Sequence, residues 1–347
     1  MASETRIQLP VIDISNTTAA VGKEVIDAAI QYGFLYIDTA SSCFSKEEID
    51  STFKMAEEFF ASPIEQKKKV EIKEDVSRRF QRVYPQPFNG IFHFVNSHPT
   101  RAINFGEFKN SKASQPLPES LVPHEADINH FTTLCQKTCG RLLTLLALGL
   151  EIPPDWFSSR HDASKGPSGS TLRYLYYPSR KSPATATFKH GIDVRAGAHS
   201  DYGSITLLFQ RDGQPGLEIL TPSNEWAGVP VRPVGAGSVG SPPVLVNIGD
   251  LLSHWTCGLL KSTVHRVVFP VGAARERDRY SVVYFCHPVH ETELVPVPSK
   301  LVDERRKGAC GGVKVQTAQE HLASRLAATY GGLADYRREK GEMKISY

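Results

Sequence analysis

Gly197-Ala198-His199-Ser200-Asp201-Tyr202-Gly203 is followed by Thr206-Leu207-Leu208, then by Lys261-Ser262-Thr263-Val264-His265-Arg266-Val267, and finally by Arg279-Tyr280-Ser281. Two imidazoles and one carboxylate are a ligand set for a mononuclear iron(II) centre with coordination positions left open. In extended chain, residues i and i+2 point the same way, so His199 and Asp201 can offer two ligands to one ion from one strand end. His265 lies between apolar neighbours and reads as the third ligand, from a strand adjacent in space. One His-x-Asp triplet alone is weak evidence. Its force here comes from the ordered set, because His199-x-Asp201 is the only such triplet in the chain. Arg279 and Ser281 enter a strand that is apolar on both faces, Val282 to Phe285. A buried guanidinium needs a partner, and a fork plus a hydroxyl suits one end of a dicarboxylate.

Working outward, the chain after Gly169 breaks into short β-branched and aromatic runs: Thr171–Tyr177, Ser204–Phe209, Gly216–Leu220, Val244–Ile248, Val264–Phe269 and Tyr280–Cys286. Gly and Pro turns separate them, the texture of a barrel or double-sheet jelly roll. Residues 178–197 and 227–243 are too long for tight hairpins and read as surface loops. Asn247, Gly249 and Asp250 read as turn residues.

Towards the N-terminus, Leu9 to Ile14 alternates as a short strand. A helix follows through Val21, Val25, Ala28, Ala29 and Tyr32, closed by Gly33, and Phe34 to Ile37 is a second strand. Ser45 and Glu48 form a capping box ahead of a helical face made by Ile49, Phe53, Ala56 and Phe60. Residues 76–123 are aromatic-rich and interrupted by prolines, which predicts mostly loop. A long helix is predicted from His124 to Leu150, with Ile128, Phe131, Cys135, Leu142, Leu145 and Leu146 as its buried stripe. The end, from Gln316 to Glu339, returns to helical spacing, with Gly331-Gly332 expected to break it. The whole reads as one compact unit with three stretches: 1–125 packed on the core, 126–290 carrying the long helix and catalytic core, and 291–347 as a C-terminal helical segment.

The chain has 347 residues, with 40 Lys and Arg against 37 Asp and Glu. That balance offers no electrostatic case for nucleic acid, and Lys67-Lys68-Lys69 reads as a solvated helix end. The six cysteines lack CxxC spacing and no secretory leader is apparent, so a reduced, cytoplasmic setting is expected. The most apolar run, Leu142 to Leu150, is about half of a membrane span.

On these residues the chain resembles the iron(II)/2-oxoglutarate-dependent dioxygenases, in the isopenicillin-N-synthase-like branch. Leu9-Pro10-Val11-Ile12-Asp13, Tyr177-Pro178, Gly216-Leu217-Glu218 and Val246-Asn247-Ile248-Gly249-Asp250 carry the resemblance alongside the segments quoted above. It covers most of residues 8–290. The resemblance implies a mainly β fold, a distorted double-stranded β-helix (jelly roll) with N-terminal helices and a C-terminal helix. It implies iron(II) on His199, Asp201 and His265. It implies 2-oxoglutarate chelating that metal, with its far carboxylate on Arg279 and Ser281 and a hydroxyl contact from Tyr177. O2 is the oxidant and ascorbate a candidate reductant. Some positions depart from the family pattern. Leu175 stands where an asparagine is common, removing a contact near the cosubstrate, and Trp255-Thr256-Cys257-Gly258 replaces Trp-x-Asn-Gly.

The implied reaction converts 2-oxoglutarate to succinate and CO2 while oxidising a small-molecule metabolite by hydroxylation, desaturation or ring rearrangement, as in specialised metabolism. An iron oxidase of the same fold that does not consume 2-oxoglutarate is the alternative, and a catalytically silent ligand-binding scaffold a third. Substrate selection is expected from Phe88, Phe92, His93 and Phe94, from residues 187–195, and from the C-terminal helices. Lys189, His190 and Arg195 read as solvated loop charges. The protein is expected to be a monomer or weak homo-oligomer, without nucleic acid or membrane.

Overall fold

Period-two alternation along the strands sorts the side chains to the two faces of one large sheet, and that sorting positions the site. The computed structural model describes residues 5–68, 91–93, 101–186, 194–236, 240–307 and 315–339. In chain order the elements are Val11–Ile12 (β1), Ala19–Gln31 (α1), Phe34–Ile37 (β2), Lys46–Ala61 (α2), Ile64–Lys68 (α3), Ile91–His93 (β3), Arg101–Phe105 (β4), Phe108–Lys109 (β5), Lys112–Ala113 (β6) and Glu125–Gly149 (α4). There follow Thr171–Tyr177 (β7), Ala196–His199 (β8), Ile205–Phe209 (β9), Leu217–Leu220 (β10), Trp226–Gly228 (β11), Val244–Ile248 (β12), Asp250–Trp255 (α5), His265–Val267 (β13), Arg279–Cys286 (β14), Lys300–Lys307 (α6) and Ala318–Glu339 (α7).

An eight-stranded sheet runs β1-β2-β12-β9-β14-β7-β4-β3, and a four-stranded sheet runs β11-β10-β13-β8. This is the expected jelly roll with flanking helices. Along β7, Leu172 and Tyr174 turn to a core shared with the helices, whereas Leu175 and Tyr177 turn to a second core between the sheets. The stripe predicted for α4 is buried: Ile128, Phe131, Cys135, Leu142, Leu145 and Leu146. Gly22 of α1 and Gly149 of α4 meet where any Cβ would strike the opposing backbone, so the two helices cross at close range. The Ser45/Glu48 capping box opens α2.

Several expectations change. Residues 101–113, read as loop, contain β4, β5 and β6, because Ala102, Ile103, Asn104 and Phe105 pair with β7 and are buried despite the flanking prolines. The stretch read as a loop over 227–243 begins inside β11, which pairs with β10. α7 continues through Gly331-Gly332. A glycine costs a helix about 1 kcal/mol but, unlike proline, keeps its N–H donor, and the helix start is secured by reciprocal Thr317 and Glu320 capping bonds. Lys67 is buried rather than solvated, its Nζ donating to the Phe60 carbonyl at 2.6 Å near the end of α2. Lys69, Phe88, Phe94, Lys189 and His190 lie outside the described residues, as do the side chains of Phe92 and His93. Among the described residues no helix is long and apolar enough to cross a membrane.

Candidate metal centre and cosubstrate pocket

His199 ends β8 and His265 begins β13, and the two are direct partners in the antiparallel register of the small sheet. Their ring centroids lie 4.3 Å apart. Asp201 sits just past the end of β8, not within it, so the chain has left the strand by the residue that supplies the carboxylate. The extended geometry expected for the pair therefore ends at His199, and Asp201 reaches the same place from the loop that follows.

Each of the three side chains is oriented by what its other polar atom does. His199 Nδ1 is 2.8 Å from the Gly197 carbonyl oxygen, and His265 Nδ1 is 3.1 Å from that of Thr263. A carbonyl only accepts, so the proton sits on Nδ1 and each Nε2 keeps a free lone pair. Asp201 Oδ2 accepts from Thr206 Oγ1 at 2.7 Å and from Asn247 Nδ2 at 2.8 Å. Its Oδ1 then faces His199 Nε2 at 3.9 Å and His265 Nε2 at 3.7 Å. The three prospective ligand atoms all fall within 4.8 Å of one another. Three donors converging with their other valences satisfied fit a divalent metal ion.

The electrostatics agree. Burial alone would push the Asp201 carboxyl up, but His265 and His199 with the Asn247 and Thr206 donors outweigh it and hold it below the ordinary carboxylate range. Desolvation, then the neighbouring His265, holds the His199 imidazole below its usual value, favouring the neutral ring that a metal needs.

The loop after the carboxylate is clamped by Gly249 and Asp250. The Asp250 N–H donates to the Asp201 carbonyl at 2.7 Å, and the Gly249 N–H donates to Ser204 O at 3.0 Å. A Cβ on Gly249 would lie 2.3 Å from Gly203 O, so the close approach requires glycine. The Asp250 carboxylate accepts from Ser200 and Ser262 and pairs with Arg325 of α7 at 2.5 Å.

A cavity of about 400 Å³ opens from this centre between the two sheets. At one end Arg279 opposes Tyr177 across β14 and β7, its guanidinium carbon 5.0 Å from the phenol ring centroid. Arg279 is 1% exposed; its Nη1 donates to Ser281 Oγ at 2.5 Å and its Nε to the Gln214 carbonyl at 3.2 Å. Leu175 lines the cavity opposite Ser281. His199, Asp201, His265, Arg279, Ser281 and Tyr177 thus all line one cavity.

Sequence reasoning missed several residues. Asn247 is not a turn residue but a mid-strand side chain holding Asp201. An asparagine inside the wholly buried strand Val244–Ile248 was the available signal, since a buried amide must find a partner. Thr206, its cross-strand partner, holds the same oxygen. Arg195, read as a solvated loop charge, is 1% exposed and lines the cavity. Its guanidinium lies 4.7 Å from the Phe269 ring centroid and donates to Arg277 O at 2.9 Å. Burial, then the Arg279 charge, draws its pKa down to about 10. Cys257 takes a left-handed φ of 52°, a conformation that asparagine adopts more readily than cysteine.

The comparisons agree with this architecture. Residues 168–288 match the model of the 2OG-Fe(II) oxygenase superfamily, and residues 9–120 match that of the non-haem dioxygenase in morphine synthesis N-terminal region. The chain belongs to the 2OG-Fe(II) oxygenase superfamily and is an iron(II)/2-oxoglutarate-dependent dioxygenase, using iron(II), 2-oxoglutarate and O2. It is 36% identical to UPF0676 protein C1494.01 of Schizosaccharomyces pombe, over 94% of each chain. It is 28% identical to clavatol oxidase claD of Penicillium crustosum, over 94% of this chain and 98% of that one. Among solved structures it is similar to a full-length Neurospora crassa protein in complex with alpha-KG and thymine, with a TM-score of 0.75 and 26% identity over 95% of this chain and 99% of that one.

Proposed function

We propose that His199, Asp201 and His265 hold the iron(II), and that Arg279 and Ser281 bind the far carboxylate of 2-oxoglutarate beside Tyr177. The observation that carries this reading is the convergence of three ligand atoms within 4.8 Å, each Nδ1 committed to a backbone carbonyl and the second carboxylate oxygen committed to Asn247 and Thr206. The metal, when bound, supplies the oxygen chemistry that couples decarboxylation of 2-oxoglutarate to oxidation of a C–H bond. This chain's residues do the positioning. Arg279 offers a buried fork to a carboxylate, Ser281 adds a hydroxyl on the same strand face, and Leu175 and Val283 keep the middle of the cavity floor apolar.

The substrate is a small molecule, which a cavity of about 400 Å³ suits. Hydroxylation is the default outcome, and desaturation or ring rearrangement requires only a different hold on the substrate. The relative named clavatol oxidase and the thymine bound by the Neurospora crassa protein are both consistent with a small organic substrate here. The enzyme works in the cytoplasm, a setting that suits the free thiols of Cys135, Cys139 and Cys286. The division into a packed N-terminal stretch to 125, a core over 126–290 and a helical C-terminus is supported by α7 supplying Leu322 and Leu326 to the cavity wall.

The deciding experiment adds iron(II) to metal-free protein without oxygen, then 2-oxoglutarate, and records the visible spectrum. A weak charge-transfer band, absent in His265→Ala, is expected. Bound iron without that band would sink the cosubstrate assignment and favour an iron oxidase that does not consume 2-oxoglutarate.

A further inference from the structure

Just past β14 the chain sets into the cavity wall a histidine with no part in holding metal or cosubstrate. His287 follows Cys286, the last residue of the strand that carries Arg279 and Ser281. It is 6% exposed and lines the cavity together with Phe285, Leu322 and Leu326. Three other histidines stand around it, His161, His290 and His321, and none of them lines that cavity.

The fold seats this imidazole closely. The Ser170 hydroxyl accepts from the His287 N–H at 3.0 Å and donates to the His287 carbonyl at 3.2 Å, so both backbone polar groups are held. The ring itself lies between two glycines. A Cβ on Gly203 would stand 2.8 Å from Nε2, and one on Gly169 would stand 3.0 Å from Nδ1. Any larger residue at either place would push the ring from its seat. Leu322 of α7 comes up to the same Gly169, so the imidazole and the apolar α7 wall meet there.

The polar atoms of the ring are idle. Among the described residues neither His287 nitrogen has a hydrogen-bond partner, whereas the neighbouring His161 commits one nitrogen to the Phe157 carbonyl and the other to Ser204 Oγ. A buried polar group without a partner costs about 1–3 kcal/mol. On the wall of a largely apolar cavity, a few such fixed groups orient the ligand. Burial, with His161 next, lowers the His287 pKa to about 3, so the ring is neutral. One of its nitrogens donates and the other accepts. That suits a neutral hydroxyl or amide and offers no ion pair to a carboxylate.

We propose that His287 is a specificity-determining residue for the oxidised substrate, its imidazole receiving a neutral hydroxyl or amide N–H on an apolar body that packs against Leu322 and Leu326. The proposal rests on the oxygenase reading above.

The test uses the anaerobic protein with iron(II) and saturating 2-oxoglutarate, so that the Arg279 end is filled. Phenol, benzyl alcohol and acetanilide are titrated calorimetrically against anisole, benzyl methyl ether and N-methylacetanilide, which keep the body and lose the donor. At least one donor is expected to bind about fivefold or more tightly than its methylated counterpart, the worth of one hydrogen bond. His287→Phe, which keeps a ring without nitrogens, should bring the two within about twofold, and His287→Asn should keep part of the preference. In protein carrying zinc(II) in place of iron(II) and histidine labelled with heavy nitrogen, the preferred probe should also shift the ring resonance that His287→Asn removes. An intact iron–2-oxoglutarate band with no donor preference in the unaltered protein overturns this proposal alone. So does a preference that survives His287→Phe, or a His287 resonance that the probe leaves unmoved. Absence of the band overturns the oxygenase reading and this proposal with it.

Discussion

Asn247 donates its side-chain N–H to Asp201 Oδ2 at 2.8 Å, from a strand of the large sheet to a loop that leaves the small one. The bond ties the two sheets together at the Asp201 carboxylate and turns Oδ1 towards the imidazoles. A hydrogen bond to a charged group contributes about 1.5–3 kcal/mol, and groups that orient metal ligands typically govern about 10–100-fold in affinity. Asn247→Leu, close in size, is therefore expected to weaken iron(II) binding by about that factor. Anaerobic metal titration checks it, and unchanged affinity would show that Thr206 alone suffices.

Arg279 should decide which 2-oxo acid is accepted. Its fork is buried against Ser281 and Tyr177, so a cosubstrate carboxylate there is desolvated and its pairing strong. Removing one partner of such a pair costs about 2–5 kcal/mol, so Arg279→Gln is expected to raise the 2-oxoglutarate Kd at least about thirtyfold. 2-Oxopentanoate, which lacks the far carboxylate, should be little affected. Titrations of the iron–oxo acid band report both. Equal losses for the two acids would mean that Arg279 supports the fold and not recognition.

How much of this was legible in the sequence follows from which forces act locally. Strands β7, β12 and β14 could be read from β-branched and aromatic runs, and the Ser45/Glu48 cap from its spacing, because both signals lie within a few residues. That His199, Asp201 and His265 would come together was legible because chemistry restricts which residue types can serve a metal, and the three do converge. Asn247, Arg173 and Arg195 were not, since what each touches depends on which distant segment lies across from it. The Asn104–Arg173 pair exists only through the β4–β7 register, and β4 itself was hidden among prolines. Arg195 looked like a loop charge because nothing local shows that Phe269 and Arg277 enclose it.

Asp250 joins the C-terminal helix to the loop that carries Asp201, and the two halves of that link should differ in weight. Arg325 is 42% exposed at its side chain, so its ion pair contributes less than about 1 kcal/mol. The Asp250 carboxylate also accepts from Ser200 and Ser262, and losing it leaves two hydroxyls without their acceptor. Asp250→Ala is expected to speed hydrogen exchange in both 199–204 and 318–328, whereas Arg325→Ala should affect 318–328 alone. Identical exchange maps for the two variants would refute the link.

Acid should unfold the metal-free protein through histidines that the fold keeps neutral. Burial lowers His287 to about 3, with nearby His161 adding to the effect, and lowers His161 and His321 to about 4 each, from 6.5. His161 is fixed by the Phe157 carbonyl and Ser204 Oγ, both at 2.8 Å. Above about pH 6.5 neither folded nor unfolded chain protonates these rings, and their contribution to stability is fully present. As pH falls through that value the unfolded chain takes up protons that the folded one refuses, so stability drops until the folded pKa values are reached. The loss is on the order of 1–2 kcal/mol per histidine by about pH 5. Urea unfolding from about pH 8 down to about pH 5 should show a flat region and then a steep decline. His287→Asn is expected to make that decline shallower, whatever it does to stability on the flat region. A decline of unchanged slope in the variant would place the acid sensitivity on other groups.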